Sequence, residues 1–259
     1  MRSFSLASVC VLLAGLSLHS EMIPVMQRQG AMHGFLVLRS PEGKIIATGD
    51  QVNAVKGNEV HSRLTFHFRD GSIDDETSVF RQTSTFQLLS DHHVQKGPSF
   101  PEPQNVSVDV QSGKVTWRES KDGKEKVTTE RMDVPPDLAN GMISLIVQNF
   151  PKNTSEMKLS YLAVSSKPRV VKLSVKPDGE DTCHIGGISR KSERFNIHVE
   201  IGGIAGVVAP MVGKQPADTK VWVLKGEAPA FLKMEGALYL KGPIWAMELA
   251  SPVWPKVTP

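Results

Sequence analysis

The chain has 259 residues, of which 40% are apolar and 22% charged, and a formal charge of +3. That balance excludes wholesale disorder, a coiled coil, a collagen-like chain and a polytopic membrane protein. A charge so near zero gives no field to hold a polyanion, so nucleic acid is not an expected partner.

The first twenty residues read as a leader and not as part of the fold. Arg2 is the only charge before Glu21, and Leu6, Val9, Leu12, Leu13, Leu16 and Leu18 lie in an apolar run. A basic start, an apolar middle and a small-residue exit describe a secretory signal peptide, cleaved after Ser17 or Ser20. The alternative is an uncleaved anchor, but the run is shorter than the roughly 20 residues that a span needs. A lipidated Cys10 is disfavoured, because Val9 and not a small residue precedes it. Loss of residues 1–20 leaves Cys183 as the one cysteine. An exported chain without a disulfide is held by its core alone and fits a bacterial periplasm. No stretch is long enough to link two domains, so 21–259 is expected to be one domain.

Period two then dominates. Segments 35–39 and 44–55 flank Pro41-Glu42-Gly43. In 60–70, Val60, Leu64, Phe66 and Phe68 alternate with His61, Arg63, Thr65, His67 and Arg69. That is a strand with one core face and one wet face, and Asp70-Gly71 is hairpin chemistry. Asp74-Asp75-Glu76 lacks the spacing of a calcium loop and reads as a solvated turn. A long strand is expected over 78–89. His92 and His93 are neighbours and point to opposite faces, while His61 and His67 are about 20 Å apart on one strand. Neither pair suits a metal.

The Pro-rich stretch 96–105 reads as a loop over the rim. Strands follow at 106–110, 115–119 and 126–134, with turns at Ser112-Gly113 and Asp122-Gly123. One stretch breaks the rule. Leu138, Met142, Leu145, Ile146 and Asn149 recur at helical spacing, predicting a helix over 137–150 between Pro135-Pro136 and Pro151. Ile143, Val147 and Phe150 widen its apolar stripe, so it belongs against the concave face of a curved sheet.

Further strands are expected at 157–165, 170–176, 195–201, 221–224, 230–240 and 244–249, about thirteen in all. The acidic stretch 178–181 reads as another solvated turn. Cys183 and His184 have no second Cys or His at a ligand or nucleophile spacing. Residues 201–213 (IGGIAGVVAPMVG) mix apolar side chains with four glycines. Gly213-Lys214 fails as a phosphate loop, because its spacing is wrong and Gln215 replaces the Ser or Thr. The stretch reads either as an ordinary core strand with a tight turn, or as a small, bendable lining for an apolar cavity. Trp222, Trp245 and Trp254 crowd the C-terminal end with Phe231 and Tyr239.

The expected architecture is mainly β: a long antiparallel meander forming a curved half-barrel or open barrel with one central apolar helix. An export signal, a meander, a central helix and no disulfide together resemble the periplasmic half-barrel proteins of the lipoprotein-carrier (Lol) type. The segment 208–249 is also similar to the C-terminal part of an uncharacterised secreted bacterial family. The Lol likeness implies burial of acyl chains in the concave face. The chain departs from those carriers in its greater length and its single evident helix.

The expected function is a periplasmic binding or carrier protein for an apolar or lipid-like ligand or a lipidated partner. Its candidate contacts are Met142, Ile146, Ile204, Val207, Val208, Trp222 and Trp245. The alternative is an envelope assembly or scaffold protein that pairs through sheet edges with another envelope protein. No catalytic constellation, metal set or cofactor motif is legible in the residues.

Overall fold

The computed structural model describes residues 22–121, 124–164, 167–185, 188–200 and 215–250. Residues 1–20, expected from the sequence to be a signal peptide, and Ile204, Val207, Val208 and Trp254 therefore lie outside the described residues.

Eight strands follow one another as a meander. They are β1 (Met32–Arg39), β2 (Ile45–Lys56), β3 (Glu59–Phe68), β4 (Ile73–Gln82), β5 (Phe86–Lys96), β6 (Gln104–Asp109), β7 (Lys114–Lys121) and β8 (Lys124–Arg131). A crossing segment with helix α1 (Ile143–Gln148) comes next. Six more strands follow among the described residues: β9 (Met157–Val164), β10 (Pro168–Ile185), β11 (Ile188–Glu200), β12 (Thr219–Leu224), β13 (Ala230–Gly236) and β14 (Trp245–Leu249). All fourteen form one curved, unclosed antiparallel sheet, ordered β8-β7-β6-β5-β4-β3-β2-β1-β14-β13-β12-β11-β10-β9.

The first and last strands meet in the middle of this sheet. Leu36 of β1 lies opposite Leu249 of β14, and Arg39 opposite Ala246. The two edges, β8 and β9, are consecutive in the chain, and the crossing segment with α1 runs between them.

Alternation places the core. Val60, Ser62, Phe66 and Phe68 of β3 are buried, and so are Ser78, Phe80 and Gln82 of β4. One apolar cluster joins the halves: Phe80, Phe86 and Val108 meet Met142 and Ile146, which meet Leu159, Val175 and Val221. A second cluster packs Leu38, Phe66, Phe68, Phe100, Trp245 and Met247. Phe100 comes from the Pro-rich loop, and its ring stands edge-on to Phe68 at 5.2 Å.

The helix is shorter than the expected 137–150. Residues before Ile143 spend their backbone bonds on β9 instead. The Ala139 N–H donates to the Ser160 carbonyl (2.9 Å), and the Ser160 N–H to the Asp137 carbonyl (3.2 Å). The Asn140 amide repeats the pattern with both backbone groups of Leu162. Gly141 then turns at φ +65°, which no helix accommodates, so α1 starts only after it. Pro136-to-Asn140 residues thus cover an edge that would otherwise be open.

Three further expectations are corrected. The strand expected over 78–89 is two strands, broken by a turn at 83–85. Asp74-Asp75-Glu76 is no turn but the start of β4, and Asp74 is buried. The acidic stretch 178–181 sits inside β10 at a bulge. There Arg194 donates to Asp178 (2.9 Å) and Asp181 (2.7 Å), so the carboxylates are tied across the β10–β11 ladder.

Candidate functional site

A cavity of about 230 Å³ opens between α1 and the inner faces of β1, β2, β3 and β13. Met32 and Leu249 are partly exposed and mark its mouth. Asn53, Ser62 and Phe80 are buried and form its floor. Ser144, Leu145 and Gln148 close it from the helix. Ile146 of α1 and Met142 just before it are buried in the first apolar cluster, and Leu145 both belongs to that cluster and lines the cavity.

The floor is polar because of how four strands register. Asn53 lies opposite Ser62, Ser62 opposite Ser78, and Ser78 opposite Asp91. The next row inward runs Gln51, Leu64, Glu76, His93. Asp91 and His93 face inward only because of a bulge. Phe80 pairs with Leu88 and Val79 with Ser90, so one residue of β5 is skipped. Before the bulge Phe86 and Leu88 point in; after it Asp91 and Gln95 are the buried residues. A bulge re-aims side chains in this way wherever it is inserted.

These rows and the next, where Asp74 lies opposite Phe66 and Gln95, bring together three carboxylates and one imidazole. His93 Nε2 bonds Asp74 Oδ1 at 2.6 Å. The Ser78 hydroxyl donates to Asp91 Oδ1 at 2.8 Å. The Gly141 N–H donates to the Glu76 carboxylate. Burial pushes the Glu76 carboxyl up, with Asp74 adding to the shift. Burial, and then the charge of Glu76, pushes Asp91 up to about 8. For His93, burial opposes the charge. Its bond to Asp74 and the fields of Glu76, Asp74 and Asp91 outweigh burial and raise it to about 9. On β9, burial and the same carboxylates raise Tyr161.

Gly141 separates this cluster from the cavity. It lines the cavity, and a Cβ on it would come within 1.7 Å of Ser78 Oγ and 3.1 Å of Asp91 Oδ1. No side chain fits there. Only a glycine supplies both the left-handed turn and the close approach.

The candidate contacts read from the sequence fall in different places. Met142 and Ile146 sit together in the first apolar cluster, and neither lines the cavity. Trp245 belongs to the second cluster, beside Phe68 at 5.4 Å. Trp222 alternates with inward Val221 and Val223 and so lies on the outer face. Its indole N–H donates to Asp181 there (2.7 Å). His92 points outward to Asn105 (3.1 Å). Cys183 lies near the end of the β10–β11 hairpin, where its thiol donates to the Arg190 carbonyl at 3.5 Å.

Sequence reading missed the inward acids and the asparagine. The signal for Asp74 and Glu76 was present: both share the phase of Phe80 in one strand. The signal for Asp91 and His93 was absent, because an inserted residue reverses the phase.

No family model matches the chain, and no curated protein matches it. Among solved structures it is similar to a β-barrel-like protein of the domain of unknown function DUF1849 from Brucella abortus. That match has 10% identity and a TM-score of 0.44, covering 86% of this chain and 96% of the other. Identity that low transfers no residue role.

Proposed function

We propose that this chain is an exported binding protein that holds one small apolar or amphipathic molecule between α1 and the sheet. The cavity carries this reading. Its walls are Met32, Leu36, Phe80, Leu145, Phe231 and Leu249, with a few placed polar groups on the floor. An apolar enclosure with sparse polar groups is the usual form of a ligand site. A cavity of about 150 Å³ already takes benzene, whereas sites for drug-sized ligands begin at about 300 Å³. The occupant is therefore a ring or one short chain. The lipid-like ligand that the Lol-type likeness implies fits here as such a chain and not as a whole two-tailed lipid. The leader-like segment 1–20 supports export to a periplasm.

The scaffold reading rests on β8, which has no outer strand partner among the described residues. Its sequence, KEKVTTER, carries five charges in eight residues. Charges of that kind protect an edge from pairing, so the cavity is the stronger argument.

The test is native mass spectrometry of protein purified from its own cell envelope, beside Leu145→Trp, which fills the cavity. The expected result is an extra mass on the wild type that moves into an organic phase and is missing from the variant. A bare polypeptide mass for both, with no change in melting temperature on adding benzene or hexanol, would overturn the reading.

A further inference from the structure

The β10–β11 hairpin reaches past the rest of the sheet, and its free end is apolar and cationic. We propose that this end docks the protein on an anionic lipid surface. The inference goes beyond the cavity reading and does not depend on it.

Three observations carry it. The first is reach. β9 pairs with β10 only as far as Val175, and β12 pairs with β11 only from Ser192. Past Ser192, the Lys225 N–H adds one bond to the Lys191 carbonyl (3.1 Å). Four cross-strand pairs lie farther out: Thr182 opposite Lys191, Cys183 opposite Arg190, His184 opposite Ser189 and Ile185 opposite Ile188. No strand flanks them among the described residues. At the usual rise per residue they carry the arm about 13 Å past β12.

The second is chemistry. Ile185 and Ile188 face each other in the outermost pair and are 39% and 56% exposed. A single exposed apolar residue is ordinary, but here two branched ones share the end of a solvated arm. Arg190 and Lys191 stand exposed just behind them, and no acid lies between Asp181 and Glu193. The acids at the base of the arm are already matched, Asp178 and Asp181 by Arg194 and Glu180 by Lys225. The free end therefore keeps its positive charge. Its spacing suits a bilayer. Arg190 and Lys191 follow Ile188 by two and three residues, about 7–10 Å. An interfacial anchor buries its apolar part about 5–10 Å into the headgroup boundary. Isoleucines at that depth leave both cations level with the headgroups, where anionic lipids attract them. A protein groove would take the isoleucines but sets no such spacing.

The third is position. Each strand runs antiparallel to the next, so Ile185, Leu224, Ala230, Leu249 and Met32 all lie at one end of the sheet. Met32 and Leu249 mark the cavity mouth. Docking by the arm thus turns the mouth toward the lipid.

The experiment is flotation of the purified protein with two kinds of vesicle, phosphatidylcholine alone and an equal mixture with phosphatidylglycerol. Binding to the mixture is expected to be at least about tenfold tighter, the effect of two cations near an anionic surface, and to weaken with added salt. Ile185→Asp with Ile188→Asp is expected to lower binding at least tenfold at an unchanged melting temperature, since neither residue belongs to an apolar cluster. Arg190→Glu with Lys191→Glu is expected to remove the preference for phosphatidylglycerol. A polarity-sensitive dye on Cys183, the one cysteine among the described residues, is expected to shift to the blue on the mixed vesicles. No binding to the mixture, equal binding of wild type to both vesicles, an unmoved dye, or wild-type binding by either double variant overturns the proposal. Leu145→Trp, which fills the cavity, is expected to float like the wild type, so the cavity reading and the docking reading fail separately.

Discussion

At the scale of residues, the cluster of Asp74, Glu76, Asp91 and His93 makes stability depend on pH in one direction. Folding raises Asp91 from its ordinary value near 3.8 to about 8, and His93 from near 6.5 to about 9. Glu76 is raised as well. As pH rises, the unfolded chain loses these protons before the folded one does, so stability falls. The Asp91 contribution is complete below about pH 4 and is lost as pH passes through about 8. The His93 contribution is complete below about 6.5 and is lost through about 9. Asp75 opposes this at the acid end. Its bond to Arg63 lowers it, so its contribution disappears as pH drops below its ordinary value near 3.8. The thermal midpoint is therefore expected to be higher at pH 5.5 than at pH 9. The difference should be at least about 4 °C, the shift that roughly 1–2 kcal/mol makes in a chain of this size. Asp91→Asn should flatten the slope, because an amide accepts the Ser78 bond without titrating. A melting profile that is level between those pH values would refute this account.

At the scale of elements, the crossing segment is fastened to the second half by a buried pair. Lys172 Nζ donates to Asp137 Oδ2 (2.9 Å) and Ser160 Oγ (2.8 Å), while the Ser160 hydroxyl donates to Asp137 Oδ1 (2.7 Å). The Asp137 side chain is fully buried and the Lys172 side chain is 38% exposed. Removing the lysine strands a buried charge. Lys172→Met is expected to destabilise by about 3 kcal/mol in denaturant unfolding, the low end for a broken buried pair because the lysine is part-exposed. Adding Asp137→Asn should restore part of the loss, since the uncompensated charge is then gone. A loss below about 1 kcal/mol would mean that water satisfies Asp137. At the other end of α1, Asn149 Oδ1 accepts from the Met26 and Gln27 N–H groups (2.9 and 2.6 Å), tying the N-terminal segment to the helix. A six-residue helix is unstable alone, and these contacts at both ends hold it over the sheet.

At the scale of the whole molecule, the sheet is joined by its latest-made strand. Pairing of β14 with β1 brings Leu249 opposite Leu36, across most of the chain. Contacts so distant in sequence slow folding, because the loop must close before they form. Truncation after residue 243 removes β14 and exposes the inner edges of β1 and β13. That chain is expected to lose cooperative unfolding and to aggregate, as unprotected edges do. A truncated chain that is monomeric and melts cooperatively would show instead that each half-sheet folds alone.

Much of this was legible in the residues. Alternation in 60–70, the Asp-Gly and Ser-Gly turns and the apolar stretch between prolines all act locally, so they specify a β meander interrupted by one helical turn. Even Asp74 and Glu76 could be placed inside by their phase with Phe80. Other features depend on partners distant in the chain, and only the tertiary structure decided them. The edge of β9 competes with α1 for the backbone of 137–140 and shortens the helix. One extra residue in β5 reverses its phase and turns Asp91 and His93 inward. Trp222 faces out because its strand neighbours Val221 and Val223 face in. The cavity itself is lined by residues from Gln29 to Leu249, which only the fold brings together. Local physics writes the strands into the sequence; the site arises from register and packing, which no short stretch of sequence encodes.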